Sequence, residues 1–478
     1  MLRQPFLAQG KSMVQASNIS LWMEQLPAES LQPREPLRGR LQADVVIIGA
    51  GYTGLWTAYY LKRSQPALRV VVLEAQIAGY GASGRNGGWV MGELAGEDAL
   101  LAGLDAATRQ RCRTVLRDIP DEVGRVLARE RLDCDFRKGG VLYCAARYPE
   151  QEQLLREQLA DWRRYGHGED DFRWLDSAAL QQQLRLAGAY GAVYSPHVAT
   201  IQPARLVRAL ARRVEEMGVL LFEHSPVLRI EGREAVTAQG RVSGEWLVPA
   251  VEAYAATLGG VRSRQIAVQS LIIATEPLPQ ALWDEIGLAN GQAFSDFGHL
   301  VSYGQRSADN RLILGARGGY RFGGRLRQSF TLSAAEIAQR QQLLQTLFPM
   351  LAGVRISHGW GGNLGMARGF HPQIVVDRDR GMLQAGGYGG EGVGASNLAG
   401  RTMAALIGGE AGELAQLPWL TTPAACRRWE PEPLRWLGYQ AILRSFNWEE
   451  RVLLQPGAPA WQRRLVQRVA AGMAGLLQ

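Results

Sequence analysis

The apolar residues of this chain fall into two patterns, and the first is decisive. Asp44-Val45-Val46-Ile47-Ile48 is a short continuous β-branched run, the pattern of a strand buried on both faces of a parallel sheet. It leads into Gly49-Ala50-Gly51-Tyr52-Thr53-Gly54, then into Leu55 to Arg63 with helical periodicity, then a second expected strand, Arg69 to Leu73, ending at Glu74. Strand, glycine turn, helix and strand in about 30 residues is the size of a βαβ unit. The second pattern is looser. From 105 to 185 charged and apolar residues alternate at helical spacing, interrupted by a strand expected at Phe136 to Ala145. A helix is expected over 203–217, a strand at Val219 to Phe222, short strands through 227–273 ending in Ser270 to Ala274, and another at 311–315. A long helix over 333–348 closes at Pro349, and the glycine-rich stretch 357–397 gives way to a helix from Asn397 to Ile407. No internal repeat is visible.

This order predicts an α/β protein. A Rossmann-like dinucleotide domain is assembled from 41–100, 195–258 and 375–412, with an inserted α+β substrate domain from 101–194 and 259–374. Residues 1–40, with Pro27, Pro33 and Pro36, read as an extended arm anchored by Trp22; residues 413–478 read as a C-terminal extension.

Composition changes this picture little. Of 478 residues, 46% are apolar and 21% charged, which excludes disorder, collagen and coiled coil as the dominant state. The 56 glycines exceed the usual ~7%, so close backbone approaches are expected. Cys112, Cys134, Cys144 and Cys426 show no metal or disulfide spacing, so no metal is expected and a reduced, cytoplasmic protein is the simplest reading. The net charge of +8 is nearly all arginine, since Lys11, Lys62 and Lys138 are the only lysines. The basic residues are interleaved with acids, so nucleic acid is not an expected partner. The first twenty residues lack a basic start followed by an apolar block, and no stretch is long enough to span a membrane.

The glycine turn carries the first chemistry. Gly49 permits the tight turn, Gly51 lets the backbone approach a pyrophosphate, and Gly54 allows close helix–strand packing. A helix starting near Thr53 aims its amides and positive dipole end at phosphates, with Tyr52 and Thr53 among the expected cofactor contacts. Glu74, followed by Ala75, lies 20 residues after Gly54 at the end of the second strand, where a carboxylate accepts hydrogen bonds from ribose hydroxyls. Dinucleotide binding follows; FAD and NAD are not separated by these residues. The next motif, Gly81-Ala82-Ser83-Gly84-Arg85-Asn86-Gly87-Gly88, has little side-chain bulk, so its backbone can lie flat against a planar ligand.

At GASGRNGG the sequence resembles the D-amino-acid-oxidase-type family of FAD-dependent oxidoreductases, and in particular its gamma-glutamylputrescine oxidase branch. The likeness extends through Ile201-Gln202-Pro203-Ala204, Val227, the run Val248 to Tyr254, Thr275-Glu276-Pro277-Leu278, Trp360-Gly361-Gly362 and Gly386-Gly387-Tyr388-Gly389-Gly390-Glu391-Gly392, over roughly residues 20 to 412. The resemblance implies a glutathione-reductase-type flavoprotein architecture, with a mixed β-sheet domain covering the flavin. It implies oxidation of a carbon–nitrogen bond in an amine or amino acid, with an imine then hydrolysed. Val227, Gly387, Gly390, Gly392 and Val393 join the cofactor contacts on this basis. Some relatives attach flavin covalently through cysteine or histidine; neither occurs in the GASGRNGG loop or in Trp360 to Gly369, so noncovalent FAD is expected.

Several residues then have paired readings. The segment Gly389 to Gly394, followed by a helix, offers amides to a reduced anionic flavin. Glu391 within it either binds a cationic amine or caps the helix toward solvent. Trp89, Trp360 and Tyr388 either line an aromatic pocket that desolvates the amine or belong to the core. His358 is the one histidine beside a flavin motif, and is either catalytic or structural. Arg85 either holds a flavin or substrate oxygen or pairs with a surface acid. Some relatives use a lysine over the flavin to promote reaction with oxygen; here Lys138 is the one plausible lysine, and a structural salt bridge is its simpler role. The acceptor is therefore O2 or a quinone, with an oxidase the leading reading, a dehydrogenase second, and a flavin-binding protein without turnover third. Past the resemblance, Trp461, Leu465, Val469, Met473 and Leu476 form an apolar stripe, with Arg463, Arg464 and Arg468 mostly away from it. Such a helix docks on its own body or a second subunit, or lies on an anionic membrane.

Overall fold

The computed structural model describes residues 16–261, 264–409 and 412–476. Residues 1–15 of the expected arm, and the few at 262–263, 410–411 and 477–478, lie outside them. The first strand, β1 (Gly39–Ile48), ends in the buried run Val45–Ile48 and feeds α1 (Tyr52–Ser64) and then β2 (Val70–Leu73). Both neighbours of β1 run parallel to it: β2 on one side, and β3 (Gly240–Pro249) on the other. Strand 220–222 continues the sheet in parallel beyond β2. Among the described residues this is a nine-stranded sheet, completed by late strands at 373–377, 382–386 and 420–421. The strand at 420–421 thus brings part of the C-terminal extension into the nucleotide sheet.

The second sheet has eight strands among the described residues. Its longest members are β4 (Gln265–Thr275), β5 (Leu312–Tyr320) and β6 (Ile356–Ala367), with β4 central and antiparallel to both others. The strand pair 141–145 and 293–296 is parallel, so the sheet is mixed. The stretch expected as strand from Phe136 forms one only from Val141, because Gly139 and Gly140 precede it.

The late helix α2 (Gly392–Gly408) begins five residues before its expected start, at the glycine motif itself. It packs across α1, and Gly400 makes this possible: a Cβ there would lie 2.6 Å from Cβ of Trp56. Early and late parts of the chain therefore share one core, which holds Val45, Ile47, Leu55, Trp56, Leu398 and Met403.

The chain then forms an antiparallel hairpin of α3 (Leu434–Leu453) and α4 (Ala460–Gly475). Its inward contacts differ from the expected ones. Val466 and Ala470 are the buried residues of α4, and Met473 is half-buried beside them, while Trp461, Leu465, Val469 and Leu476 are exposed. Arg463 ties α4 to the body through Glu150 at 2.6 Å. No described helix is long and apolar enough to cross a membrane.

Candidate active site

The glycine turn after β1 forms one end of a cavity of about 210 Å³. Gly49 has φ +106° and donates to the Leu73 carbonyl at 2.8 Å. A Cβ on Gly54 would lie 2.1 Å from the Gly49 carbonyl oxygen, so helix and turn touch only because position 54 is glycine. Gly54 lies beneath the turn, while Gly49, Gly51, Tyr52 and Thr53 line the cavity. The Glu74 carboxylate accepts from the Ala50 amide at 2.8 Å and from the Gln76 amide at 2.9 Å. Burial raises its pKa to about 7. Each oxygen keeps a second lone pair, and Glu74, Ala75 and Val227 line the same cavity.

The GASGRNGG loop closes the other side. Ser83 Oγ accepts from the Tyr52 amide at 2.9 Å, holding the loop on the start of α1. Tyr52 Oη donates to the Pro203 carbonyl at 2.8 Å. Asn86 accepts from the Gly88 amide at 2.8 Å and fixes the loop's exit. Gly81, Ala82, Ser83 and Asn86 line this cavity, as do Tyr388, Gly390, Gly392 and Val393 of the late motif. Tyr388 Oη and Thr53 Oγ1, 2.8 Å apart, link the two motifs. Gly88 and Gly387, at φ +77° and +78°, shape the turns without lining either cavity.

A second cavity of about 540 Å³ abuts the first. Ala82, Asn86, Leu364, Gly389, Gly390 and Val393 line both. At this junction the first turn of α2 presents amides that lack an i−4 carbonyl. Trp89 stands against Tyr303 with ring centres 5.7 Å apart, and Gly87 is also in the wall. Tyr143 Oη donates to Glu93 Oε1 at 2.6 Å. Glu391 faces the cavity from the cap position of α2; burial, reinforced by Glu93, lifts its carboxyl to about 7. Arg317, on β5, reaches in from the opposite sheet. Its side chain is open to solvent in the cavity and makes no salt bridge or hydrogen bond among the described residues; partial desolvation by the cavity walls lowers its pKa, opposed by Tyr439 and Glu391. The outer wall is α3, through Arg435, Tyr439, Ile442 and Phe446.

Three expected residues are placed differently. Trp360 packs edge-on against Trp22 at 5.9 Å, donates to the Arg85 carbonyl at 2.8 Å, and lines neither cavity. His358 is 2.8 Å from Ser357 Oγ and 3.2 Å from Glu24, again outside both cavities. The reason is the N-terminal arm. Gly362, Leu364 and Met366 lie on the same face of β6 and line the larger cavity, but residues 19–24 cover that face at Trp360 and His358. Arg85 meets no acid. Its guanidinium donates to the carbonyls of Tyr80 (2.8 Å), Ile19 (3.1 Å) and Gly361 (3.3 Å), and stacks over Tyr80 and Phe330. It therefore fastens the arm, the loop and β6 together at the edge of the larger cavity. Lys138 pairs with Asp121 on the surface.

Other residues carry no motif. Tyr143, Tyr303 and Arg317 come from three strands of the second sheet and meet only in the fold. The one sequence signal is an arginine between glycines at the end of an apolar strand, Leu312 to Gly319. Glu252, just past β3, accepts from the Gly365 amide at 2.6 Å, and burial raises it to about 7. It ties the nucleotide side to β6.

A dinucleotide cradle opening end-on into a second cavity roofed by a mixed sheet defines a two-domain oxidoreductase of the flavoprotein class. The chain belongs to the FAD dependent oxidoreductase (DAO) family, whose model matches residues 44–406. It is 30% identical over 393 residues to gamma-glutamylputrescine oxidoreductase of Escherichia coli K12, covering 80% of this chain and 88% of that protein. It is 28% identical over 399 residues to a probable oxidoreductase, OrdL, of Haemophilus influenzae, covering 81% of this chain and 88% of that one. Glycine oxidase from Geobacillus kaustophilus shares the fold with a TM-score of 0.66 at 21% identity, over 80% of this chain and 99% of that one. L-proline dehydrogenase from P. horikoshii shares it with a TM-score of 0.62 at 17% identity, over 78% and 96%. The glycine cradle, the Glu74 carboxylate and the amides at α2 fit FAD laid from the smaller cavity to the junction.

Proposed function

We propose that the protein oxidises the C–N bond of a small amine that also carries a carboxylate, with O2 as the electron acceptor. The observation that carries this reading is the pair of opposed charges in the larger cavity. Glu391 stands at the cofactor junction and Arg317 on the opposite sheet; neither forms a close salt bridge among the described residues, and their charges favour one another across the cavity, where the two ends of a zwitterionic substrate would be received. Bound FAD would supply the two-electron oxidation, taking a hydride from the carbon next to nitrogen. The chain's own residues do the rest. Arg317 receives the substrate carboxylate. Glu391, ionised above about pH 7, receives the ammonium or its proton, and Trp89 and Tyr303 exclude water from the reacting end. Substrate leaves as an imine, which water hydrolyses to a carbonyl compound and an amine or ammonia.

No cysteine or histidine lines either cavity among the described residues, which supports noncovalent attachment. Acid precipitation of the holoprotein should leave the flavin in the supernatant; flavin retained in the pellet would overturn that part. The activity is tested without oxygen by adding carboxylate-bearing amines, including glutamylated diamines and N-alkyl amino acids, while following flavin absorbance. Bleaching by one such compound supports the reading, and bleaching only by amines without a carboxylate refutes it. Air is then readmitted: recolouring within seconds with peroxide formed supports O2. One observation favours a quinone or carrier instead. Lys138 is paired on the surface and no lysine lines either cavity among the described residues; slow recolouring in air and fast recolouring with a soluble quinone would establish that reading.

A further inference from the structure

We infer that the hairpin of α3 and α4 is a docking surface for an anionic lipid bilayer. Ten large apolar side chains are exposed among the described residues, and eight of them lie between 434 and 476. On α3, Leu434, Leu437, Ala441 and Trp448 are exposed and recur at steps of three, four and seven, so they fall on one line of the helix. Arg444 and Arg451 are exposed beside that line. On α4, Trp461, Leu465, Val469 and Leu476 recur at steps of four, four and seven, with Arg464 and Arg468 exposed beside them. Helix α4 is therefore apolar on two sides. Val466 and Ala470 satisfy the packing against α3, and intramolecular packing does not account for the second side. Trp461 is 64% exposed and Leu476 61%.

The charges identify the occupant. Residues 451–476 contain no acid and four arginines. The acids of the hairpin and of its contact with the body are paired: Glu449 with His299 at 2.6 Å, Glu450 with Arg147, Glu432 with Arg435 at 3.0 Å, and Glu150 with Arg463 at 2.6 Å; Glu430, exposed at the cavity mouth, pairs with Arg368 at 3.2 Å. The exposed surface is thus a pair of apolar lines edged by the guanidinium groups of Arg444, Arg451, Arg464 and Arg468, with the neutralised Arg368–Glu430 pair at one end. That is the chemistry of an interfacial helix: apolar side chains enter the acyl boundary and arginines meet headgroup phosphates. A second copy fits worse. A two-fold contact sets the patch against itself, leaving its arginines with no opposing acid. The surface also reaches the chemistry. Leu434 and Leu476, 62% and 61% exposed, both line the larger cavity, so docking sets the cavity mouth against the lipid.

The test is flotation of the full-length holoprotein with vesicles of phosphatidylcholine alone or with about one third phosphatidylglycerol, at low and high salt. The wild-type protein should float with the anionic vesicles and far less with the neutral ones. R464Q/R468Q should weaken binding about tenfold or more at low salt, since each arginine near an anionic surface adds several-fold. W461S/L465S/V469S should lose the fraction of binding that survives high salt, where electrostatic attraction is screened. None of these side chains lines a cavity, so flavin content and turnover should be unchanged, which also shows that the variants fold. Failure of the wild-type protein to float with anionic vesicles overturns the inference. So does equal flotation of wild type and both variants. A wild-type dimer in sedimentation velocity that W461S/L465S/V469S converts to monomer, without vesicle binding, would assign the surface to a second copy.

Discussion

The two cavities are built on opposite plans. In the smaller one, polar groups are already spent on the protein itself. Glu74 holds two amides, Ser83 holds the first amide of α1, and Thr53 holds Tyr388. In the larger one some are left without a hydrogen-bond partner: Arg317 makes no hydrogen bond or close salt bridge among the described residues, and Trp89 Nε1 is buried with no acceptor, while Tyr143 and Tyr303 are already bonded to Glu93 and Ser270. A rigid, self-satisfied cradle suits a resident cofactor bound once. A cavity with unspent donors suits a ligand that arrives, reacts and leaves: the solvent-exposed Arg317 guanidinium is free to exchange water for a ligand, and the buried Trp89 Nε1 stays unsatisfied until an acceptor arrives.

The largest effect should come from breaking the cradle. Gly54→Val puts a branched side chain where a Cβ alone would be 2.1 Å from the Gly49 carbonyl oxygen. The protein should purify colourless and lose about 3 kcal/mol of stability in urea unfolding. A yellow G54V protein of normal stability would show that the turn tolerates more movement than its packing implies.

Next in size is Arg317→Met. Losing a charge-assisted hydrogen bond costs about 1.5–3 kcal/mol, so KM for a carboxylate-bearing substrate should rise about 10- to 100-fold. Flavin content should stay normal, which separates the two cavities. A fall in kcat with KM unchanged would move Arg317 from binding to the chemical step.

The smallest effect is one of pH. Glu391 titrates at about 7 because burial and the nearby Glu93 oppose its charge. Below that value it is neutral, and as pH rises through it the carboxylate forms and attracts an ammonium substrate. Kcat/KM should therefore climb across this range in the wild-type protein, and Glu391→Gln should flatten the rise, with a loss of about tenfold at the upper end. In the ligand-free protein the stability sign is the reverse. The folded state holds this proton above the pH at which an unfolded glutamate releases it, so Glu391 makes stability fall as pH rises from about 4.5 toward 7.

How legible each region was follows from the same contrast. The cradle is local: Gly49 to Glu74 lies within one βαβ unit, so spacing alone reveals its geometry. The larger cavity is assembled from strands far apart in sequence, and nothing near Tyr143 or Tyr303 marks them as neighbours. Trp360 and His358 were legible as lying beside a flavin motif, yet their environment depends on the arm, whose Trp22 and Glu24 arrive from more than 300 residues away. On α4 the apolar periodicity was readable, but periodicity does not say which apolar side faces the body. The narrower line of Val466 and Ala470 does.

The outer wall formed by α3 has a wider consequence. The family model ends at residue 406, and α3 begins at Leu434. One side of the larger cavity is thus made by a hairpin beyond the matched region that is tied to the second sheet by Glu449 and Glu450 and shares no strand with the cofactor cradle. Swapping or reshaping that hairpin can retune which molecules fit while the redox machinery stays untouched, so this scaffold separates what it accepts from how it reacts.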